Sequence, residues 1–121
     1  MTKSAILLLT IFATVSARVG DAAAGARIFA RCRICHTVAA GAASTVGPNL
    51  HGLFGRRAGS LADYDYSPAM KHSGVVWSDA TLAKFLRDPK AFIPGGHVGF
   101  PGIGDASEVD SLLAYLRAAT G

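Results

Sequence analysis

The sequence predicts an all-α fold in which three to five short helices are joined by long loops. Four stretches carry helix signals, and none shows the apolar and polar alternation that is typical of a strand. Residues 37–66 show neither the helical period of 3.6 residues nor the strand period of two, and they contain five glycines and a proline. Loops longer than about 12 to 15 residues are uncommon in a compact domain. We therefore expect a large apolar cofactor to fill the space that this loop encloses.

The first two helices are predicted from their end signals. The segment DAAAGARIFARC begins with Asp21, a possible N-cap, and its alanines and arginines favour a helix that runs into the two cysteines. The segment SPAMKHSG allows two turns at most, with Pro68 at the first helical position and Gly74 at the end.

The other two helices are amphipathic. The segment SDATLAKFLRDP has Ser78 or Asp79 as its N-cap and Pro89 as its stop. The last helix starts at Asp105 and Glu108, which are spaced as in a capping box. The apolar residues on the inner faces are Leu82, Phe85, Leu86, Val109, Leu112, Leu113 and Leu116.

Residues 1–17 have the features of a cleavable export signal. Lys3 is followed by an apolar run over residues 5–15, and the small residues before and at Ala17 suit a signal peptidase. The run is too short to cross a hydrocarbon core of about 30 Å as a helix, so cleavage is favoured over a retained amphiphilic anchor. We expect a periplasmic protein in which residues 18–121 form one domain.

Composition narrows the function classes. Half of the residues are hydrophobic and 17% are charged, which is typical of a folded domain. The net charge of +4 is small and scattered, and no basic stripe with interleaved aromatic residues accompanies it. We therefore expect attraction to acidic surfaces and no binding of nucleic acid.

The motif CRICH carries the chemistry. Cys32, Cys35 and His36 have the spacing for covalent attachment of a c-type haem, with both thiols and the imidazole on nearly one face of a helix. A dithiol redox pair would need a βαβ context, and a zinc site would need two further soft ligands; the sequence offers neither. We expect one covalently bound haem c, with His36 as an iron ligand.

From residue 20 to residue 121 the sequence resembles the mitochondrial and c2-type cytochrome c family, the monohaem class I cytochromes. The resemblance is carried by GPNLHGLFGR, by YSPAM, by Trp77 after SGVV, and by DPKAFIPG, in the order of the family. It implies a small cytochrome c fold whose loops wrap one haem. It also implies that the terminal helices cross, with Gly25 close to Leu112 and Tyr115.

The same resemblance implies a set of haem-binding residues. The carbonyl of Pro48 would accept a hydrogen bond from Nδ1 of His36 and so orient the ring. Arg56, Tyr66 and Trp77 would surround the haem propionates. From spacing alone, Tyr66 and Trp77 are better explained as core aromatic residues.

The loop PGGHVGFPG departs from the family. Members typically carry a methionine, the sixth iron ligand, where this chain has Val98. Gly96 and Phe85 likewise replace a usual Thr and a frequent Tyr. A one-residue slip of the loop would make His97 the sixth ligand; otherwise Val98 covers an open or water-bound iron. Met70, as a third possibility, is better explained as core filling than as a ligand.

The function expected is single-electron transfer between redox proteins, without substrate turnover. The alternative is a haem-based binder or sensor of small ligands at an open sixth position, and peroxidase chemistry ranks last because only His97 could act as an acid or base there. We expect a monomer, without stable membrane insertion, that docks on acidic surfaces of membrane or soluble redox proteins. The basic residues available for docking are Arg27, Arg31, Arg33, Lys84, Arg87 and Lys90.

Overall fold

The computed structural model describes residues 2–11 and 20–121, and it confirms the all-α prediction. Within these ranges it contains no strand, only an isolated antiparallel bridge between Arg57 and Val76. The helices are α1 (Ala22–Phe29), α2 (Pro68–Lys71), α3 (Asp79–Arg87), α4 (Pro89–Phe92) and α5 (Ala106–Ala119).

The helix starts follow the local capping chemistry that the sequence predicts. In each case the cap side chain accepts a hydrogen bond from a backbone N–H of the first turn. The third helix is capped by Ser78 rather than Asp79, and Thr81 completes a reciprocal capping box with Ser78. The other predicted caps are Asp21 and Asp105, and Ser67 caps α2.

Two helix ends differ from the prediction, and one short helix, α4, was not predicted. Helix α1 ends at Phe29, and the chain continues through the cysteines as a series of turns. Helix α2 ends at Lys71, before Gly74. Pro89 ends α3 as predicted but also begins α4, because a proline at the first helical position has no N–H that would be left without a partner.

The crossing of α1 and α5 forms the best-buried part of the core. A Cβ at Gly25 would clash with the Ser111 carbonyl and would lie 2.8 Å from Cβ of Tyr115. The close approach to Tyr115 agrees with the expectation, whereas the backbone contact involves Ser111 instead of Leu112. The rings of Phe29 and Tyr115 lie 5.0 Å apart, and Phe29 and Leu112 are almost fully buried.

The loop over residues 37–66 is tied to the helical core by backbone hydrogen bonds. The N–H of Gly52 donates to the carbonyl of Thr120 at 2.7 Å, and the N–H of Gly55 donates to Trp77 at the same distance. Only Leu53 and Ala58 of this segment belong to the buried apolar core. The loop is therefore ordered by hydrogen bonds from its middle to the helical core more than by buried apolar side chains of its own.

The amino-terminal segment is described only in part. Residues 2–11 have no regular secondary structure, and the apolar side chains there are exposed. The cleavage site predicted at Ala17 lies outside the described residues. Among the helices of the described ranges, none combines the length and apolar character needed to cross a bilayer.

Candidate functional site

A single turn after α1 carries the three residues of the CRICH motif that bear the chemistry. The N–H of Cys35 and the N–H of His36 both donate to the carbonyl of Cys32, at 3.0 and 2.9 Å. Both thiols are free and half-buried. Burial raises the pKa of the Cys32 thiol, and nearby Arg31 opposes this effect. The turn thus presents two sulfur atoms and one imidazole from the same short segment.

The orientation of His36 is set from outside this turn. Its Nδ1 lies 2.7 Å from the carbonyl oxygen of Pro48, and because a carbonyl can only accept, Nδ1 must donate. Burial lowers the pKa of His36, although the hydrogen bond to Pro48 opposes this effect. The neutral ring therefore keeps the lone pair of Nε2 available for a metal.

Gly47 makes room for this imidazole. A Cβ at this position would lie 2.6 Å from Cε1 and 2.8 Å from Nδ1 of His36, closer than real Cβ contacts. The N–H of Gly47 and the hydroxyl of Thr45 both donate to the carbonyl of Cys35 at 2.8 Å. These contacts hold the segment around Pro48 against the turn.

Asn49 is a site residue that the sequence analysis missed. Its side-chain amide donates to the carbonyls of Ala39 and Ala42, at 3.0 and 2.7 Å, and its side chain is buried. It therefore closes the loop that positions Pro48. The only local signal is the Gly47 and Pro48 pair before it, which marks a turn but does not reveal the partners of the amide.

Arg56 and Tyr66 lie near each other beside this loop. Nη1 of Arg56 donates to the carbonyls of Asn49 and His51, at 2.9 and 3.1 Å. Burial lowers the pKa of Arg56, and burial raises the pKa of Tyr66, where Arg56 acts in the opposite direction. The rings of Tyr66 and Tyr64 pack edge to face, with ring centres 4.8 Å apart.

Trp77 belongs to the core and also adjoins Arg56. Its side chain is 7% exposed, and its ring centre lies 5.2 Å from that of Phe85. The backbone N–H of Trp77 donates to the carbonyl of Arg56 at 2.9 Å. Arg56, Tyr66 and Trp77 therefore lie in one region. Trp77 is also a buried core residue, independently of any contact with a cofactor.

In the loop 94–102, the side chains of His97 and Val98 differ in their exposure to solvent. The side chain of His97 is exposed, whereas Val98 and Phe100 are half-buried. Met70 is half-buried against the core. The structure thus does not bring His97 into the interior, and Val98 faces inward more than its neighbour does.

The donor set fits a porphyrin-bound iron rather than a bare metal ion. In the part of the chain that the structure describes, no three His, Cys, Asp or Glu side chains converge to hold a metal. One oriented imidazole beside two free thiols matches a haem, which brings its own four nitrogen ligands and is attached through sulfur. The residues that would hold it are Cys32, Cys35 and His36.

Comparisons with known proteins give the same answer over almost the whole domain. The family model for cytochrome c matches residues 22–120. Cytochrome c2 of Blastochloris viridis is 41% identical over 118 residues, which cover 97% of this chain and 93% of that protein. Cytochrome c of Nigella damascena is 47% identical over 105 residues, 86% of this chain and 95% of its own length.

A solved structure shares the fold. Cytochrome cH from Methylobacterium extorquens is 46% identical, with a TM-score of 0.76, and the match covers 82% of this chain and 99% of that chain. The family has redox proteins as partners and one covalently attached haem c per chain. The chain therefore belongs to the class I cytochrome c family, and is a monohaem electron carrier that binds haem c.

Proposed function

We propose that the protein is a periplasmic electron carrier whose iron lacks a methionine ligand. The observation that carries this proposal is the half-buried Val98 in the loop where the family has its methionine. Valine has no donor atom, and Met70 is held in the core. The Met and His pair that raises the potential of a cytochrome c cannot form through this loop in the usual way.

Different residues of the chain would attach the haem, bind its iron and stabilise its carboxylates. A bound haem supplies one-electron chemistry by cycling between ferric and ferrous iron. Cys32 and Cys35 would fix it through their sulfur atoms, and His36 would hold the iron through Nε2. Pro48 keeps the imidazole in one tautomer and one orientation. Arg56 would face the haem carboxylates and stabilise their negative charge.

Two states of the sixth position follow from the loop. In the first, His97 moves inward and completes a bis-histidine pair, which the glycines on either side of the His97 and Val98 pair permit. In the second, Val98 covers an open or water-bound iron, and the protein can bind small ligands. The exposed side chain of His97 supports the second state, so ligand binding is retained as the alternative function.

The ferric protein tests the coordination directly. We expect the absorption and paramagnetic resonance spectra to lack methionine ligation, and the midpoint potential to lie well below that of methionine-ligated relatives. His97→Ala changes both spectra if His97 is a ligand and leaves them unchanged if the position is open. An ordinary high potential in the native chain would contradict the proposal.

Two further measurements separate carrier from ligand binder. Rapid stoichiometric binding of carbon monoxide by the reduced protein supports the binder, and refusal supports a six-coordinate carrier. Val98→Met should restore a thioether ligand, raise the potential and suppress carbon monoxide binding. If Val98→Met leaves all three properties unchanged, the loop does not lie over the iron.

The proposal includes export of the chain and attraction to acidic redox partners. The alignment with cytochrome c2 covers 97% of the chain, so it extends into the amino-terminal segment that we interpret as a signal. The mature chain, residues 18–121, should be a periplasmic monomer attracted to acidic redox partners by its positive charge. Amino-terminal sequencing of the mature protein checks the cleavage after Ala17.

A further inference from the structure

One continuous part of the chain beside the CRICH turn is free of charge. Residues 34–55 contain no Asp, Glu, Lys or Arg, although charged residues make up 17% of the sequence. Ile34 is 80% exposed and Val46 is 73% exposed. The uncharged surface, as we define it, consists of the exposed residues Ile34, Ala39, Ala40, Ala43, Thr45 and Val46.

This surface is held in a fixed shape. Asn49 binds the carbonyls of Ala39 and Ala42 from inside. The hydroxyl of Thr37 donates to the carbonyl of Ala43 at 3.0 Å. Because these bonds order the loop without using its outward side chains, the methyl groups are presented to solvent in a defined arrangement.

The uncharged surface adjoins the residues that attach the cofactor. Ile34 lies between the two cysteines in the sequence. Val46 lies between Thr45 and Gly47, which both donate to the carbonyl of Cys35 at 2.8 Å. Since electron transfer slows steeply with distance, a partner seated here would be close to the attached haem.

Among the described residues, charged side chains flank the uncharged surface on two sides. Arg31 and Arg33 are exposed just before Ile34. On the side away from Ile34, Asp63 accepts two hydrogen bonds from Ser44, at 2.9 and 2.8 Å. Ser44 lies between the surface residues Ala43 and Thr45, so this carboxylate borders the surface there, with its charge partly satisfied within the loop. Other basic residues, such as Lys84 and Arg87 on α3, lie on a different element.

We propose that a redox protein docks on the uncharged surface through an apolar patch of its own, with acidic side chains only at the edge that faces Arg31 and Arg33. This inference rests on the proposed electron-carrier function and refines its partner class. Ile34 adjoins Cys35, and Thr45 and Gly47 on either side of Val46 both donate to the carbonyl of Cys35, so the two large apolar residues belong to one region. Exposed apolar area marks interaction sites, and the centre of an interface is depleted of charge whereas its rim is polar. Docking should therefore depend only weakly on salt, in contrast to docking through surface charges alone.

Voltammetry of the holoprotein on coated gold electrodes tests the inference without an identified partner. One coating carries mixed methyl and hydroxyl groups and imitates an uncharged patch; the other carries carboxylates and imitates an acidic surface. We expect the native protein to exchange electrons on the uncharged coating at a rate that high salt does not reduce. Ile34→Lys and Val46→Lys should each slow this exchange by about tenfold, because docking would then bury an unpaired ammonium group.

Val76→Lys is the matched control, since Val76 is 52% exposed and lies outside the uncharged surface. It adds the same charge and should change the rate on the uncharged coating less than twofold, while all three variants keep the native midpoint potential. Equal rates for Val46→Lys and Val76→Lys would overturn the inference. So would exchange that occurs only on carboxylates and is lost in salt, or a stable dimer in sedimentation that Val46→Lys abolishes. Absence of a reversible wave on every coating would instead contradict the electron-carrier function.

Discussion

At the scale of single residues, the iron-binding side of the site depends on what is absent at position 47 as much as on the ligand itself. The imidazole of His36 occupies the space where a Cβ of residue 47 would stand. The same segment supplies the Pro48 carbonyl that fixes the tautomer of the ring. Gly47 therefore allows the segment both to pack closely against the His36 imidazole and to bring the Pro48 carbonyl within hydrogen-bond distance of it.

Replacing Gly47 with alanine tests this packing. Gly47→Ala should destabilise the holoprotein by about 1 to 3 kcal/mol, because the ring or the loop must shift to remove the overlap. Thermal unfolding followed by circular dichroism measures the loss, and the absorption spectrum reports any change at the iron. Gly104→Ala is the control, because a Cβ there meets nothing within 4 Å. Equal stability of the two variants would show that His36 does not need this space.

At the scale of elements, the crossing of α1 and α5 depends on the close contact of a glycine with the backbone of Ser111, and also with Cβ of Tyr115. A Cβ at Gly25 would meet the carbonyl of Ser111, and Asp21 receives a second tie to α5 because its N–H donates to the hydroxyl of Ser111 at 3.2 Å. A flexible side chain could move aside, but a helix backbone can move only if the whole helix shifts. The two helices can therefore approach this closely because residue 25 has no Cβ.

The substitution Gly25→Ala tests the helix crossing, because the steric clash and the helix propensity of alanine change the stability in opposite directions. Alanine in a helix interior is ordinarily favoured over glycine by about 1 kcal/mol. Here we expect the opposite sign, a loss of about 1 to 3 kcal/mol in unfolding free energy, because the added methyl forces the helices apart.

The control for this test is Ala23→Gly at an exposed position of α1, which should cost no more than the propensity difference. Chemical denaturation of both variants provides the comparison. A stabilised Gly25→Ala variant would mean that the crossing is looser than the structure indicates.

At the scale of the whole molecule, the protein chain by itself gives its long loop too few buried apolar contacts. Residues 37–66 contribute only Leu53 and Ala58 to the buried apolar core. Val38, Leu50 and Phe54 add only partly buried contacts against the core. Ordering a residue costs about 1 to 2 kcal/mol of backbone entropy, and these few apolar contacts bury too little area to offset that cost over such a segment. Because the haem is attached covalently, it stays on the unfolded chain, and it stabilises the folded state through the apolar surface that the folded loops bury against it.

Removing the attachment points tests this dependence. The double variant Cys32→Ala/Cys35→Ala, exported and purified beside the native protein, should be colourless and should lack a cooperative thermal transition in circular dichroism. The physical reason is the loss of the covalently held group that the loops enclose. A colourless protein that still unfolded cooperatively at the native temperature would show that the chain folds without haem.

The sequence by itself determined the features that depend on neighbours within about four residues. The caps at Asp21, Ser78 and Asp105, the amphipathic faces, and the spacing of the CRICH motif are all local, so capping chemistry and periodicity predict them. The end of α1 at Phe29 was missed, because the turns that follow use similar hydrogen bonds over similar distances.

Only the tertiary structure decided how distant segments combine. The hydrogen bond between His36 and Pro48 joins residues 12 apart, and it was expected from the family resemblance and not from any local pattern. The hydrogen bond between Asp21 and Ser111 joins residues 90 apart and was not expected. The part of Asn49 in closing the loop, the different exposure of His97 and Val98, and the place of the uncharged surface beside the cysteines belong to the same class. No local pattern encodes them, because each depends on which parts of the chain meet after the helices have packed.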